Sequence, residues 1–311
     1  MSYSVIAFNR ADPGHIAHLV ALWNAACGPD LAFTERLAEH NTRPGTGLKQ
    51  AGRLAFAGEE PAGVVLASAA SDGSQAHGWI DVAAVAPRFQ RRGLGSDLLR
   101  WAEAWLREQD VAAVHLGGGL RHFTAGLPVE LGAQPFFEKR GFRSVGHAWD
   151  VARTLTDDDL AAPAPPAIRP AQPGDFPAFD EFLQREFPGR WRYEVQEARR
   201  DGARLSDYLL LWEAGRVEGF CRLVFEDSYW PLERVYMRRL PRPWGQLGPI
   251  GVGRAVRGQG QGGALLRAGL RALRARGVAG CVIDWTSLLA FYRKFGFEPY
   301  RQYGMMVKEA G

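Results

Sequence analysis

The sequence predicts a mixed α+β fold built from two tandem copies of one unit, each a mostly antiparallel twisted sheet flanked by helices. Three observations predict it: a pattern of elements that restarts past mid-chain, a Pro- and Ala-rich stretch where it restarts, and an Arg- and Gly-rich turn at the same place in each copy. At 311 residues the chain is long for one core and suits two domains of roughly 150 residues each.

The first copy opens with SVIAFNRADPGHIAHLVALW and the second with PAIRPAQPGDFPAFDEFLQ; each reads as strand, Pro-Gly turn and amphipathic helix. RLAFAGEEPAGVVLASA and YLLLWEAGRVEGFCRLVFE each place a short Gly-containing turn between two apolar runs, which predicts an antiparallel hairpin. An apolar strand, the Arg/Gly turn and a helix follow. In the second copy Ile250 and Val252 end the strand, Leu266, Leu270 and Leu273 line one helical face, and Gly277 stops the helix. The helix of the first copy carries Leu98, Ala102, Trp105 and Leu106. Each copy closes on a strand, a short helix and a Gly-Phe turn, FFEKRGF and FYRKFGF. Between the copies, LTDDDLAAPAPPAIRP has no apolar periodicity, and Pro163, Pro165 and Pro166 stiffen it as in a linker. The expected division is therefore 1–156, a linker at 157–167, and 168–311.

Composition narrows the function classes. The chain is 46% hydrophobic and 23% charged, as in ordinary globular proteins. No apolar run reaches the roughly 18 residues of a membrane span, and MSYSVIAFNRADPG does not read as a secretory signal. Cys27, Cys221 and Cys281 lie far apart and fit neither zinc nor disulfide spacing, so no metal is expected. Cys281, in the apolar run GVAGCVIDW, is expected to be a buried inert thiol. A reducing cytoplasm suits all three. The formal charge of +4 is mild and the arginines are dispersed, with RRLPRPW the densest cluster. Such a surface attracts small anions but does not read as a nucleic-acid or membrane partner.

The turn of the second copy, Arg257-Gly258-Gln259-Gly260-Gln261-Gly262, is the first candidate site. Glycines let the backbone take positive φ and approach a ligand closely, and free N–H groups at the following helix start suit phosphate oxygens. The first copy carries Gln90-Arg91-Arg92-Gly93-Leu94-Gly95 at matching spacing. Gly258, Gly260 and Gly263 also satisfy G-x-G-x-x-G, with Asp284 ending the next strand, as a dinucleotide fold requires. Three features count against that reading. Gly253 to Arg257 separate the strand from the first glycine, only residues 285–311 remain for further βαβ units, and the first copy lacks the third glycine.

These motifs, V-x-P-x-x-Q-R-R-G-L-G-S from Val85 and V-x-x-x-x-R-G-Q-G-Q-G from Val252, resemble the acyl-CoA-binding motif of the GNAT acetyltransferase superfamily. The element order ending in F-Y-R-K-F-G-F is similar too, and covers nearly the whole chain twice. The resemblance implies that turn amides at 257–262, with 90–95 as counterpart, hold the pyrophosphate of acetyl-CoA. It also implies that Ile250 and Val252, with Ala83 and Val85 as counterparts, flank the thioester on a strand that splays from its neighbour. Arg254 departs from the proline that is frequent there, a change in turn stiffness.

The same resemblance places Tyr292 as the general acid, and the Val252 N–H as an oxyanion donor. A phenol of pKa about 10 is close to matched with a thiol of about 8.5. The first copy has Phe137 instead and a longer loop, GGGLRHFTAGLPVELGAQP, so its expected role is scaffolding or ligand binding without turnover. Asp284 is the candidate base, with capping of the Asp-Trp-Thr-Ser turn as the bland alternative. Glu226 and Asp227 are weaker candidates that a surface loop also explains. Trp285 stands where asparagine is common, suggesting an aromatic wall, and Arg293 and Lys294 are either ligand-facing or solvated. The segment EDSYWPLERVYMRRLPRPWGQ suits an amino sugar. The layout is similar to bacterial two-domain glucosamine or glucosaminide N-acetyltransferases, which implies a small-molecule amine acceptor. A non-catalytic acetyl-CoA sensor is the alternative class.

Overall fold

The computed structural model describes residues 2–71, 75–161, 165, 167–232 and 240–310. Pro163 and Pro166 of the expected linker, and positions 233–239 of the aromatic segment, which include Arg238 and Arg239 of RRLPRPW, lie outside the described residues.

The first half runs β1 (Ser4–Ala7), α1 (Pro13–Cys27), α2 (Glu35–Thr42), β2 (Leu48–Ala57), β3 (Glu60–Ser71), β4 (Ala76–Val85), α3 (Leu94–Arg107), β5 (Val111–Leu116), β6 (Leu127–Pro128), α4 (Gln134–Glu138) and β7 (Arg143–Thr154). A short helix α5 (Asp158–Ala161) precedes the second half. That half runs β8 (Ile168–Pro170), α6 (Phe176–Glu186), α7 (Arg190–Arg200), β9 (Tyr208–Glu213), β10 (Arg216–Phe225), β11 (Trp244–Val252), α8 (Gln261–Ala275), β12 (Gly280–Thr286), α9 (Leu289–Arg293) and β13 (Glu298–Glu309). The two halves repeat one order, as the sequence predicts.

The chain divides into two compact units, residues 1–149 with 301–311, and residues 150–300. This differs from a division at the linker, and the closing strands are the reason. In the first unit β1, β2, β3 and β4 pair in antiparallel order, β4 lies parallel to β5, and the end of β13 pairs antiparallel with β5, Val307 opposite His115. In the second unit β8, β9, β10 and β11 pair antiparallel and β11 lies parallel to β12. The end of β7 serves this unit, where the Leu155 N–H donates to the Ala279 carbonyl at 2.7 Å. Each half thus sends its last strand out of its own unit.

In the first unit the faces of β3 alternate. Val64 and Leu66 join Leu19, Leu22 and Trp23 of α1, and Val65 and Ala67 join Leu98, Leu99, Ala102 and Leu106 of α3. A strand covered on both faces reads as the unbroken apolar run AGVVLASA. In the second unit Phe179, Phe182 and Leu183 of α6 pack with Leu210 and Phe220. On α8, Leu265, Leu266, Leu270 and Leu273 are all buried. A Cβ on Gly269 would meet Leu247 Cδ1 at 2.5 Å, so a larger residue there would have to displace the Leu247 side chain packed between α8 and β11. Cys221 and Cys281 are fully buried, and burial pushes the Cys221 thiol up to about 12. Among the described residues no helix is long and apolar enough to cross a membrane.

Candidate active site

The turn before α8 takes a conformation that L-residues rarely adopt. Gly258 has φ +79° and Gly260, the N-cap of α8, φ +83°; a Cβ at either would meet nothing within 4 Å. The glycines therefore answer a backbone demand, and the cradle they form is open. In the first unit Arg91 has φ +60° and Gly93, the N-cap of α3, φ +90°. Both turns also fasten to the strand before them in one way. The Arg257 Nε donates to the Val252 carbonyl at 3.1 Å, and the Gln90 Nε2 donates to the Val85 carbonyl at 2.9 Å. Gln259 donates to the Ala255 carbonyl and Gln261 to Glu213, so their side chains brace the turn.

Beside each turn, two parallel strands part. The β11–β12 register ends at Gln246 and Val282, although β11 continues to Val252 and β12 to Thr286. The β4–β5 register ends at Ile80 and Leu116, while β4 continues to Val85. On its other side β11 stays paired with β10, Gly219 opposite Val252, and the Gly253 N–H donates to the Glu218 carbonyl. Antiparallel bonding alternates along a strand, so the N–H groups of Val252 and Ile250 turn away from β10 and into the gap. A bulge opens it further: Gly248 and Pro249 together oppose Arg222, between the pairs Cys221–Ile250 and Leu223–Leu247.

The gap in the second unit holds a cavity of about 180 Å³, lined by Arg190, Arg222, Ile250, Asp284, Trp285 and Tyr292 among others. Tyr292 is buried, and burial first and the Asp284 charge second hold its pKa well above the ordinary phenol value. Asp284 accepts from the Gln246 Nε2 at 2.6 Å. Arg222, also in the lining, is only 3% exposed; its Nε donates to the Gly248 carbonyl at 3.0 Å and its Nη1 to Glu194 at 2.8 Å. Arg190 donates to the other oxygen of Glu194 at 2.5 Å and lies 4.3 Å over the Trp285 ring. Trp285 itself has φ +49°, a strained value for a bulky residue, and its N–H donates to the buried Asp150 at 3.0 Å.

A family model described as "Acetyltransferase (GNAT) family" matches residues 18–142 and again 176–297. The chain belongs to the GNAT acetyltransferase family. It is an acyltransferase with two tandem GNAT domains. No match was found among curated protein sequences. Solved structures share its fold. A GCN5-related glucosamine N-acetyltransferase region of a fungal multi-domain GH3 β-N-acetylglucosaminidase superposes with TM-score 0.86 at 23% identity, covering 98% of this chain and 38% of that chain. This chain thus spans well under half of that fungal chain's length. A tandem GNAT protein from the clavulanic acid biosynthesis pathway superposes with TM-score 0.70 at 17% identity, covering 100% and 99% of the two chains. A GCN5-related N-acetyltransferase from Sphaerobacter thermophilus does so with TM-score 0.69 at 24% identity, covering 99% and 96%.

Within this GNAT fold, the residues singled out from sequence divide in three. Ile250, Asp284 and Tyr292 line one cavity, and Val252 closes the strand beside it. Of the first-unit counterparts, Ala83 is exposed and Val85 half-buried on β4, Arg92 is exposed, and the Leu94 side chain is a core residue at 2% exposure. Glu226 and Asp227 stand away from the cavity: Glu226 accepts from the Trp244 N–H, and Asp227 is an exposed partner of Arg204 and Arg276. Arg293 faces Glu298 and Lys294 is exposed. The Thr286 hydroxyl accepts the Leu288 N–H in the Asp-Trp-Thr-Ser turn. Arg254, where proline is frequent, uses the N–H a proline lacks to donate to Glu186 at 3.1 Å. The raised pKa of Tyr292 corrects the near-matched proton transfer expected from a free phenol. The cause is the low-dielectric cavity shared with a carboxylate.

Sequence reasoning missed Arg190, Arg222, Gln246 and Asp150. One signal was available: Arg222 is a lone charge inside the apolar run GFCRLVF, and a buried arginine needs a partner. In the first GNAT domain, Phe137 is buried where the second has Tyr292. There the strands part at Asp81, a fully buried carboxylate that accepts from Gln50 and Ser68 and is pushed up to about 7 by burial.

Proposed function

We propose that the second unit moves an acetyl group from acetyl-CoA to a primary amine of a small molecule, an amino sugar such as glucosamine or a glucosaminide. The observation that carries this reading is one cavity, where β11 leaves β12, that brings a phenol and a carboxylate beside the strand end carrying the free-facing Val252 N–H. When bound, acetyl-CoA supplies the activated acyl group and a thiol as leaving group. The residues present fit it: the Arg257–Gly262 bend is an open cradle at the start of α8, suited to a diphosphate.

The chain's own residues then divide the work. The Val252 N–H donates to the carbonyl oxygen that gains charge. Asp284 takes the proton the incoming ammonium must lose, directly or through one water. Tyr292 keeps its proton at neutral pH and passes it to the departing sulfur, and the phenolate left behind takes the second proton that the nitrogen sheds as the amide forms. The two groups help each other. Once Asp284 is protonated, its charge no longer opposes a phenolate, so Tyr292 becomes a stronger acid at the step that needs one. The first unit, with Phe137, is read as a domain that scaffolds or binds without turnover. A reducing cytoplasm is the compartment these free thiols suit.

Thiol release from acetyl-CoA, measured with amino sugars, amino alcohols, polyamines and peptides, tests the reading. Acceptor-dependent release with amino sugars is expected. Tight binding of acetyl-CoA without release for any acceptor makes the protein a sensor instead.

A further inference from the structure

Besides Asp284, the cavity is lined by two cations, Arg190 and Arg222, and their pairing is uneven. Two guanidinium groups, Arg190 and Arg222, share the single buried carboxylate of Glu194. Arg222 is committed on both sides, to Glu194 and to the Gly248 carbonyl, in nearly full burial. Arg190 is different. It spends one nitrogen on Glu194, its side chain is 24% exposed, and it stands at the first position of α7, where the positive end of the helix dipole adds to its charge. Its guanidinium carbon lies 4.3 Å from the centre of the Trp285 ring, and the backbone N–H of Trp285 is held in turn by Asp150. A strained tryptophan anchored to a buried carboxylate is a costly way to line a cavity. It makes sense as a support that keeps Arg190 in one orientation.

Resting on the transfer reading above, we propose that the acceptor carries an anionic group, a phosphate or a carboxylate, besides its amine, and that Arg190 binds that group while Asp284 meets the amine. The acidic and the cationic lining groups of the cavity are then complementary to the amine and the anion of the substrate. Arg190 keeps N–H donors beyond the one given to Glu194, and a planar fork suits either anion. Arg222 and Glu194 form the base on which that fork stands, and Trp285 sets its plane.

The test uses the full-length protein and three amino sugars matched in ring and amine: one unsubstituted, one a phosphate ester, one bearing a carboxylate at the same carbon. Steady-state thiol release is expected to give kcat/KM at least roughly tenfold higher for one or both anionic sugars, as a charge-assisted hydrogen bond supplies. That advantage shrinks as ionic strength rises. Arg190→Gln reduces the anionic-to-neutral ratio by about tenfold, and Arg190→Lys, which keeps the charge but loses the fork, reduces it less. The phosphate and carboxylate arms tell which anion is preferred. If the wild type uses the neutral sugar as well as both anionic ones, or if Arg190→Gln lowers all three alike, the anion site is refuted and the transferase reading stands. If none of the three releases thiol although acetyl-CoA binds, the amino-sugar reading fails, and this one with it.

Discussion

The Asp284 carboxylate and the Tyr292 phenol face one cavity, and the charge of the first helps hold the proton on the second. Burial is the larger cause and the carboxylate the next, so both the depth of the site and its composition keep Tyr292 in the form a proton donor needs.

Tyr292→Phe removes that proton and little else, since the ring keeps its edge contacts with Phe291 and Phe297. The expected loss in kcat is about 10²-fold or more, with acetyl-CoA affinity retained. Thiol-release kinetics and calorimetric titration check the two halves. Full kcat in the variant rejects Tyr292 as the acid.

The raised pKa also has a sign in pH. The folded state holds the Tyr292 proton above the unfolded value of about 10. Its contribution to stability is therefore complete below that pH and is lost only as pH climbs through the folded value. No basic limb from Tyr292 is expected in kcat/KM up to about pH 9.5. Asp284→Asn removes a negative neighbour, so the phenol is expected to ionise at lower pH than in the wild type. Ultraviolet tyrosinate titration, with Tyr292→Phe as the blank, reads this. An unchanged or higher value means that the two groups are not coupled.

Arg222→Met takes away the buried partner of Glu194 and the donor to the Gly248 carbonyl in the bulge. Breaking a buried pair from one side costs about 3–5 kcal/mol. Urea unfolding should show a loss of that order, against roughly 0.5 kcal/mol for an exposed arginine such as Arg293. Equal, small losses would mean that the bulge does not depend on this pair.

Asp81 offers a second pH test, in the first unit. Its folded pKa lies above the unfolded one, so its contribution to stability is present below about pH 4 and is lost as pH rises toward 7. Asp81→Asn is expected to flatten that slope and to raise Tm at pH 8 by several degrees. A slope that persists in the variant assigns the effect elsewhere.

Much of this molecule is written locally. The hairpins at 48–71 and 208–225 follow from apolar runs broken by Gly-containing turns, and α3 and α8 from leucines at helical spacing. The turn glycines at 258 and 260 announce positive φ. The resemblance to the GNAT motifs nominated Tyr292, and the end of the strand after the turn nominated Asp284. What was not legible shares one property. Asp150 meets Trp285 across 135 positions, Arg222 meets Glu194 across 28, and the bulge at Gly248 exists only in the register of β11 against β10. None of these leaves a period or a spacing in the chain.

Short-range order therefore belonged to the sequence by itself: the repeat, the order of elements in each half, and the glycine turn of positive φ before α8, because backbone sterics and hydrophobic periodicity act over a few residues. Only the tertiary structure decided which strand closes which unit, how far β11 and β12 stay paired, and which charges are buried together. Those outcomes depend on long-range packing and on a shared low-dielectric interior, where a charge acquires its chemistry from neighbours that the chain brings close only after it has folded.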